Sequence, residues 1–312
     1  MALDTPTTAR TRLATSGARA ATLEVFGEAD RNDRRFNSLF KALLLMLMSI
    51  AILAVTAIVL WAIARGWPRL GMDLLTQGPS TVNPGGAGFR TAIFGTLWVI
   101  GGVILLIVPL GVGAAVYLEE YADGTKWWNR VIELNIQNLA GVPSIVFGIL
   151  GLAFIVRGPL SLGPVAAAGS LTIALLVLPT VILASREAIR AVPPSIREGS
   201  LALGATEWQT IRRQTLPAAV PGILTGVILS IARAVGEAAP LLLVGAVTFV
   251  TFDPQPFSGG YSVLPVQIYS YATRPQEDFK VLAIAGVVVM LVIVVVMNSF
   301  AIWLRNRYEN KV

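Results

Sequence analysis

Six blocks of at least 20 predominantly apolar residues dominate the chain: about Leu39–Ala64, Thr91–Leu118, Leu134–Val156, Val165–Ala184, Ala218–Val250 and Val281–Leu304. A helix needs roughly 20 residues, at 1.5 Å each, to cross a hydrocarbon core. Helices and closed barrels alone satisfy their backbone polar groups in lipid. Blocks this long, without residue-by-residue alternation, select the helix. The expected fold is therefore an all-α membrane protein with six transmembrane helices. Composition agrees: 55% of the 312 residues are hydrophobic and 13% charged, where soluble domains carry about a quarter charged residues. The third block is interrupted by Asn135, Gln137, Asn138 and Pro143, and is the least regular of the six.

Cysteine and histidine are both absent. That excludes disulfides, thiol nucleophiles, cysteine–histidine zinc sites and the commonest general base. No cofactor, metal site or catalytic residue is expected. A net charge of +6 could suggest nucleic acid, but 20 of the 24 basic residues are Arg. Most of them flank apolar blocks, as membrane topology requires.

Residues 1–38 are polar, rich in Ala, Thr and Arg, and are expected to form a disordered cytoplasmic tail. Ala18-Arg19-Ala20 resembles a signal-peptidase site. It precedes the first apolar block instead of following it, so that block reads as an uncleaved signal anchor. With a cytoplasmic N-terminus, segments 1–41, 119–133, 185–217 and 305–312 lie inside and hold 17 Lys and Arg, against 6 in 65–90, 157–164 and 250–280. The asymmetry puts both termini in the cytoplasm. Arg157–Pro164 reads as a tight hairpin, and the Gly- and Pro-rich clusters near 78–88 and 253–265 read as outer turns.

The one long polar connection, 185–217, is well organised. Ser195-Ile196-Arg197-Glu198 fits a capping box, and Pro193-Pro194 stops any upstream helix. The helix is expected to end at Gly204, where a left-handed cap costs little. Thr206-Glu207-Trp208-Gln209 fits a second box, opening a helix to about Gln214 before Leu216-Pro217. A DNA-reading helix-turn-helix is disfavoured, because Arg212 and Arg213 end the second helix and no basic cluster opens it. Two readings follow: an interfacial amphipathic hairpin, or a docking element whose apolar knobs Leu201, Leu203, Trp208 and Ile211 fill a groove on a partner.

Glu198-Gly199-Ser200, Gly204, Ile211 and Leu216-Pro217 together resemble the EAA loop of bacterial ABC-importer permeases, with Gly199 and Ser200 where Ala is typical. The resemblance implies a MetI-like permease core and a coupling-helix hairpin that inserts into an ATPase subunit.

The fifth block contains Arg233 and Glu237 in Ala-Arg-Ala-Val-Gly-Glu-Ala-Ala-Pro-Leu. Charges within a span cost about 2.5–3.5 kcal/mol each on insertion scales, so such a pair is a functional hypothesis by default. Four residues apart, they share a helix face. One reading is a structural pair holding helices together. The other is an anion site, because a guanidinium fork suits a phosphate-like oxyanion and Glu237 neutralises it when empty. Gly222 and Gly226 in the same block permit close helix approach.

The Arg233–Glu237 stretch is also similar to a signature of phosphate-importer permeases of the PstA type. Ala115–Tyr121, Pro143–Gly148 and Pro84-Gly85-Gly86 before Thr91–Thr96 agree with it. This resemblance, over about residues 40–305, implies a bacterial plasma-membrane subunit with a PstC-like second permease, a PstB-like ATPase dimer and a PstS-like binding protein. No G-x-x-x-x-G-K-[ST] occurs, so ATP hydrolysis would belong to another chain. Import of another oxyanion, such as molybdate or sulfate, stays open. An ion-driven secondary transporter would need the pair as a relay, and no internal repeat supports it.

Overall fold

The computed structural model describes residues 31–246 and 249–309, all of whose regular elements are helical. The expectation for residues 1–30 of the tail lies outside the described residues. The chain divides into two compact units, residues up to Trp61 and residues from Ala62 onward.

Helix α1, Arg31–Gly66, opens inside the stretch read as tail and runs through that division. In the first unit its apolar side chains from Phe36 to Trp61 are almost all exposed. A helix that exposes Leu, Met and Ile all round suits lipid or another protein in the membrane.

The second unit holds the remaining helices. Short α2, Met72–Thr76, precedes α3, Arg90–Val116, which continues as a π-helical turn, Tyr117–Tyr121. The third block is a bent pair: α4, Trp127–Ala140, and α5, Ser144–Leu150 with a π-turn Gly151–Val156, meet at 108°. Five helices can cross a membrane by length and composition, or six if this pair counts as one span. Pro143 explains the break, because proline removes a helix donor and pushes the residue before it out of the α region.

The fourth block is α6, Ala166–Arg190, longer than expected because Ser185–Arg190 remain helical. After α7, Pro194–Ala202, a continuous helical run joins α8, Glu207–Thr210, a π-turn Ile211–Thr215, and α9, Leu216–Gly236. Pro217 therefore does not separate hairpin from span. The wider π-turn relieves the clash that proline would make with the carbonyl four residues back. The fifth block then breaks: α10, Ala239–Leu243, follows α9 as a separate helix. α11, Leu264–Ala272, lies in the outer connection 250–280, where no helix was expected, just past the cluster near 253–265 read as a turn, and α12 spans Glu277–Glu309.

The main core is built by α3, α6 and α9, with Val103, Ile107, Ile173, Val177, Val181 and Val227 buried together. Ser170 Oγ donates to the Val99 carbonyl at 3.1 Å across the α3–α6 contact. A second cluster packs Phe89, Tyr271 and Phe279 around α11, and Thr96 Oγ1 accepts from the Leu264 amide at 2.9 Å. Leu264, Val266 and Tyr271 are buried, which is why this segment is a helix rather than a surface loop.

Candidate functional site

Three polar features stand out among the described residues. The first is the hairpin. Its opening differs from expectation: Pro193 takes the N-cap place, Pro194 begins α7, and Ser195 makes no cap bond. Proline at the first helical position has no amide to leave unsatisfied, so it displaces the Ser195–Glu198 box. The second box forms, with the Gln209 amide donating to Thr206 Oγ1 and the Thr206 amide to Gln209 Oε1. Between them Gly204 has φ +85°, its amide bonds the Leu201 carbonyl, and the Ala205 amide bonds the Ser200 carbonyl. That is the Schellman closure, which satisfies carbonyls left open at a helix end.

Glu198, Gly199, Leu201, Leu203 and Trp208 are exposed on this hairpin, with Leu203 91% accessible. Ile211 is not one of its knobs; at 3% exposure it is packed inside the protein. Ile196, unremarked in the sequence, is exposed beside Leu203. Ser200 Oγ lies 2.9 Å from Thr210 Oγ1 and ties the two short helices. A groove of about 470 Å³ runs between them, lined by Ile196, Gly199, Ser200, Leu203 and Gln209. Leu216 and Pro217, half-buried, belong to the helical run behind it.

The second feature is the charge pair. Arg233 Nε donates to Glu237 Oε1 at 3.4 Å, with side chains 46% and 19% exposed. Glu237 is not inside a helix. It follows α9 in an extended conformation (φ −79°, ψ 111°) and its amide bonds the Ala234 carbonyl. Gly236 and Pro240 favour that break. The restarted helix α10 packs on the bent pair, for a Cβ on Gly148 would stand 2.7 Å from Pro240 Cα. The two interrupted spans thus meet beside the pair. Arg233 sits in the last turn of α9, where a cation is favoured by the helix dipole. Among the described residues its fork has no second partner, which leaves donors for an anion.

The third feature escaped the sequence. Arg186, its side chain 8% exposed, reaches Glu133 Oε1 at 2.9 Å and Glu119 Oε2 at 3.4 Å. Arg190 grips Glu119 with two bonds, at 2.9 and 3.0 Å. Arg197 of α7 bonds Glu120 Oε1 at 2.8 Å and the carbonyls of Ile189 and Val192 at 2.9 and 3.2 Å. The ion-pair partners lie 53 to 77 residues apart. The available signal was the Glu119-Glu120 doublet at the end of an apolar block, which needs counter-charges nearby.

Residues 107–310 match the family described as binding-protein-dependent transport system inner membrane component. The Mycobacterium tuberculosis phosphate transport system permease protein PstA 1 is 40% identical over 247 residues, 78% of this chain and 79% of the relative. The Haemophilus influenzae phosphate transport system permease protein PstA is 35% identical over 240 residues, covering 76% and 82%. A probable ABC transporter permease, YqgI of Bacillus subtilis, is 32% identical over 263 residues, covering 80% and 88%. Among solved structures, a bacterial alginate ABC transporter in complex with its alginate pentasaccharide-bound periplasmic protein aligns with TM-score 0.62 at 17% identity, over 88% of this chain and 96% of that one. An inward-facing MetNI methionine ABC transporter aligns at TM-score 0.51 and 19% identity, over 71% and 94%. Those two establish the helical architecture alone. The chain belongs to the family of binding-protein-dependent transport system inner membrane components, as a membrane-embedded permease subunit.

Proposed function

We propose that this protein is one of two permease subunits of an ATP-driven importer for inorganic phosphate. The observation that carries the reading is the 40% identity, over most of both chains, to a phosphate transport permease. The charge pair supports it. Arg233 presents guanidinium donors beside two interrupted spans, the arrangement in which transporters expose polar groups at membrane depth. Glu237 screens the empty site, and phosphate displaces it.

The energy comes from a PstB-like ATPase dimer seated on the hairpin, with Leu201, Leu203 and Trp208 filling a groove on its surface. A PstC-like permease supplies the other half of the path, and a PstS-like binding protein delivers phosphate at the outer face. The 17 to 6 distribution of basic residues supports a topology with both termini in the cytoplasm.

Phosphate uptake by the complete complex in vesicles tests the reading. Arg233→Gln should abolish most ATP-dependent uptake while the complex still assembles. Unimpaired uptake by that variant would remove Arg233 from the path. Preferential uptake of molybdate or sulfate by the parent complex would replace phosphate as the cargo.

A further inference from the structure

We propose that Glu120 and Arg197 form the positioning pair through which movement of the hairpin reaches the membrane-spanning helices. The inference rests on the permease reading above and concerns how the two ends of the machine are joined.

Among the described residues, Glu120–Arg197 is the one ion pair that joins the hairpin to the rest of the protein. Arg197 makes three kinds of attachment at once. It belongs to α7, it donates to the carbonyls of Ile189 in the last turn of α6 and Val192 beyond it, and it holds Glu120 at the end of α3. The carboxylate is shielded, with the Glu120 side chain 11% exposed. A charge-assisted bond in such surroundings is less screened than one on the surface.

Glu120 is also well placed to pass displacement on. Its neighbour Glu119, in the same π-turn, is held by Arg186 and Arg190 of α6, and Arg186 continues to Glu133 of α4. The ends of α3 and α6 and the middle of α4 are therefore one ionic lattice. The hairpin touches that lattice through Arg197. The chain itself ties the hairpin at both ends, by the short Ala191–Pro193 connection from α6 and by the helical run from α8 into α9, which passes through the π-turn Ile211–Thr215. A π-turn is an irregular helix segment and a common place for bending. The ion pair supplies a further fixed point, so the hairpin and the α3–α6 ends move as one body.

The test uses the full complex in vesicles, with ATP hydrolysis and phosphate uptake measured on the same preparation. Glu120→Ala, Arg197→Ala and the double variant should each retain the ATPase on purification and hydrolyse ATP. Transport per ATP hydrolysed should fall about tenfold, within the range of coupling changes seen for linking residues. The double variant should be no worse than either single one, because the pair acts as a unit. Glu120→Gln, which keeps the shape, guards against loss of folding. Unchanged transport per ATP in the single variants overturns the proposal.

A second measurement is independent of the cargo. Spin labels on Ala202→Cys and Gly113→Cys, in a chain with no native cysteine, report the distance from hairpin to α3. Parent complex should keep one narrow distance with and without ATP, and Glu120→Gln should broaden it. Equal widths in both would overturn the link even where phosphate uptake is normal. A parent complex that moves no phosphate yet keeps the narrow distance, with broadening in Glu120→Gln, sinks the functional reading and leaves the link standing.

Discussion

Gly222 lies against Ala188 so closely that a Cβ on the glycine would stand 2.7 Å from the alanine Cβ, and Gly226 meets Ala184 the same way one turn on. These four residues let α6 and α9 approach with backbone against methyl. Small residues at such crossings replace a hydrophobic driving force that lipid does not supply.

Gly226→Ala should therefore destabilise the protein by about 1–3 kcal/mol, as overpacking does where neither wall can yield. The obstacle is a Cβ fixed to the α6 backbone rather than the end of a flexible side chain. Gly101→Ala gives the opposite sign. Nothing lies within 4 Å of its new Cβ, and alanine in a helix interior stabilises by roughly 0.5–1 kcal/mol relative to glycine. Thermal melts of the two purified variants in one detergent should move in opposite directions from the parent.

Arg186→Met removes a buried guanidinium from between two carboxylates. Loss of a partner commonly costs 3–5 kcal/mol when it strands a buried charge. Here Glu119 keeps both bonds from Arg190, and Glu133 is 40% exposed and can hydrate. The expected cost is thus about 1–3 kcal/mol. Arg186→Met combined with Arg190→Met strands Glu119 and should cost more than the two single losses added together. Denaturation midpoints of the three variants test that inequality.

Asp123, in the turn between α3 and α4, accepts from the Thr125 hydroxyl at 2.6 Å and the Thr125 amide at 2.9 Å. Those bonds, assisted more weakly by Lys126, hold its carboxyl below the ordinary aspartate value. A carboxyl lowered by folding stabilises its turn above the unfolded value and stops doing so as pH falls through the folded one. The carboxyl carbon shift of labelled Asp123 should titrate below the free-peptide midpoint. Thr125→Val removes the hydroxyl donor and should raise that midpoint; an unchanged midpoint would show the bonds to be absent in solution.

The hairpin caps make a separable prediction. Gly204 has φ +85°, a conformation that costs a residue with a Cβ about 1–2 kcal/mol. Thr206→Ala removes a cap worth roughly 1 kcal/mol. Hydrogen exchange of the amides in 195–210 should quicken in both Gly204→Ala and Thr206→Ala, while the core amides of α6 keep their protection. Quickening throughout the chain would mean that the hairpin does not open independently.

What was legible in sequence follows from how far apart the interacting residues lie. Apolar runs announce spans without any knowledge of neighbours, and Thr206 and Gln209 reveal their cap because both partners sit within one turn. Pro143 could be seen to disturb the third block, but the 108° bend depends on how α5 packs against α10. The Arg233–Glu237 spacing was readable, whereas the break after Gly236 places Glu237 outside the helix that the spacing assumed. The lattice was hidden for a plainer reason. Glu119 finds Arg186 across 67 residues, and no local pattern encodes that pairing. α11 was missed because Gly and Pro before it mark a turn, while its buried face is defined by Phe89 and Phe279 from other helices.

Topology gives the last prediction, and the bent α4–α5 pair makes it a sharp one. If the pair crosses the membrane, the chain crosses six times and both termini share a side. If the pair dips in and returns, the crossings are five and the ends lie on opposite sides. The second half of the pair, 144–156, spans about 20 Å as a helix, short of a hydrocarbon core of roughly 30 Å. Trp127 and Trp128 at the start of α4 are exposed and flanked by Lys126 and Arg130, the residue types that settle at a membrane surface. We expect α4 to start at the cytoplasmic surface and to tilt inward toward the bend, so that α4 and α5 together complete the crossing. A chain without cysteine allows a clean test. In intact cells a membrane-impermeant maleimide should label Thr81→Cys and Ser258→Cys, and should reach Ala202→Cys and Asn306→Cys after the membrane is opened. Labelling of Ala202→Cys before permeabilisation would reverse the orientation of the hairpin. Thr81 and Asn306 labelled from the same side, with Ser258 protected, would make the bent pair a re-entrant loop.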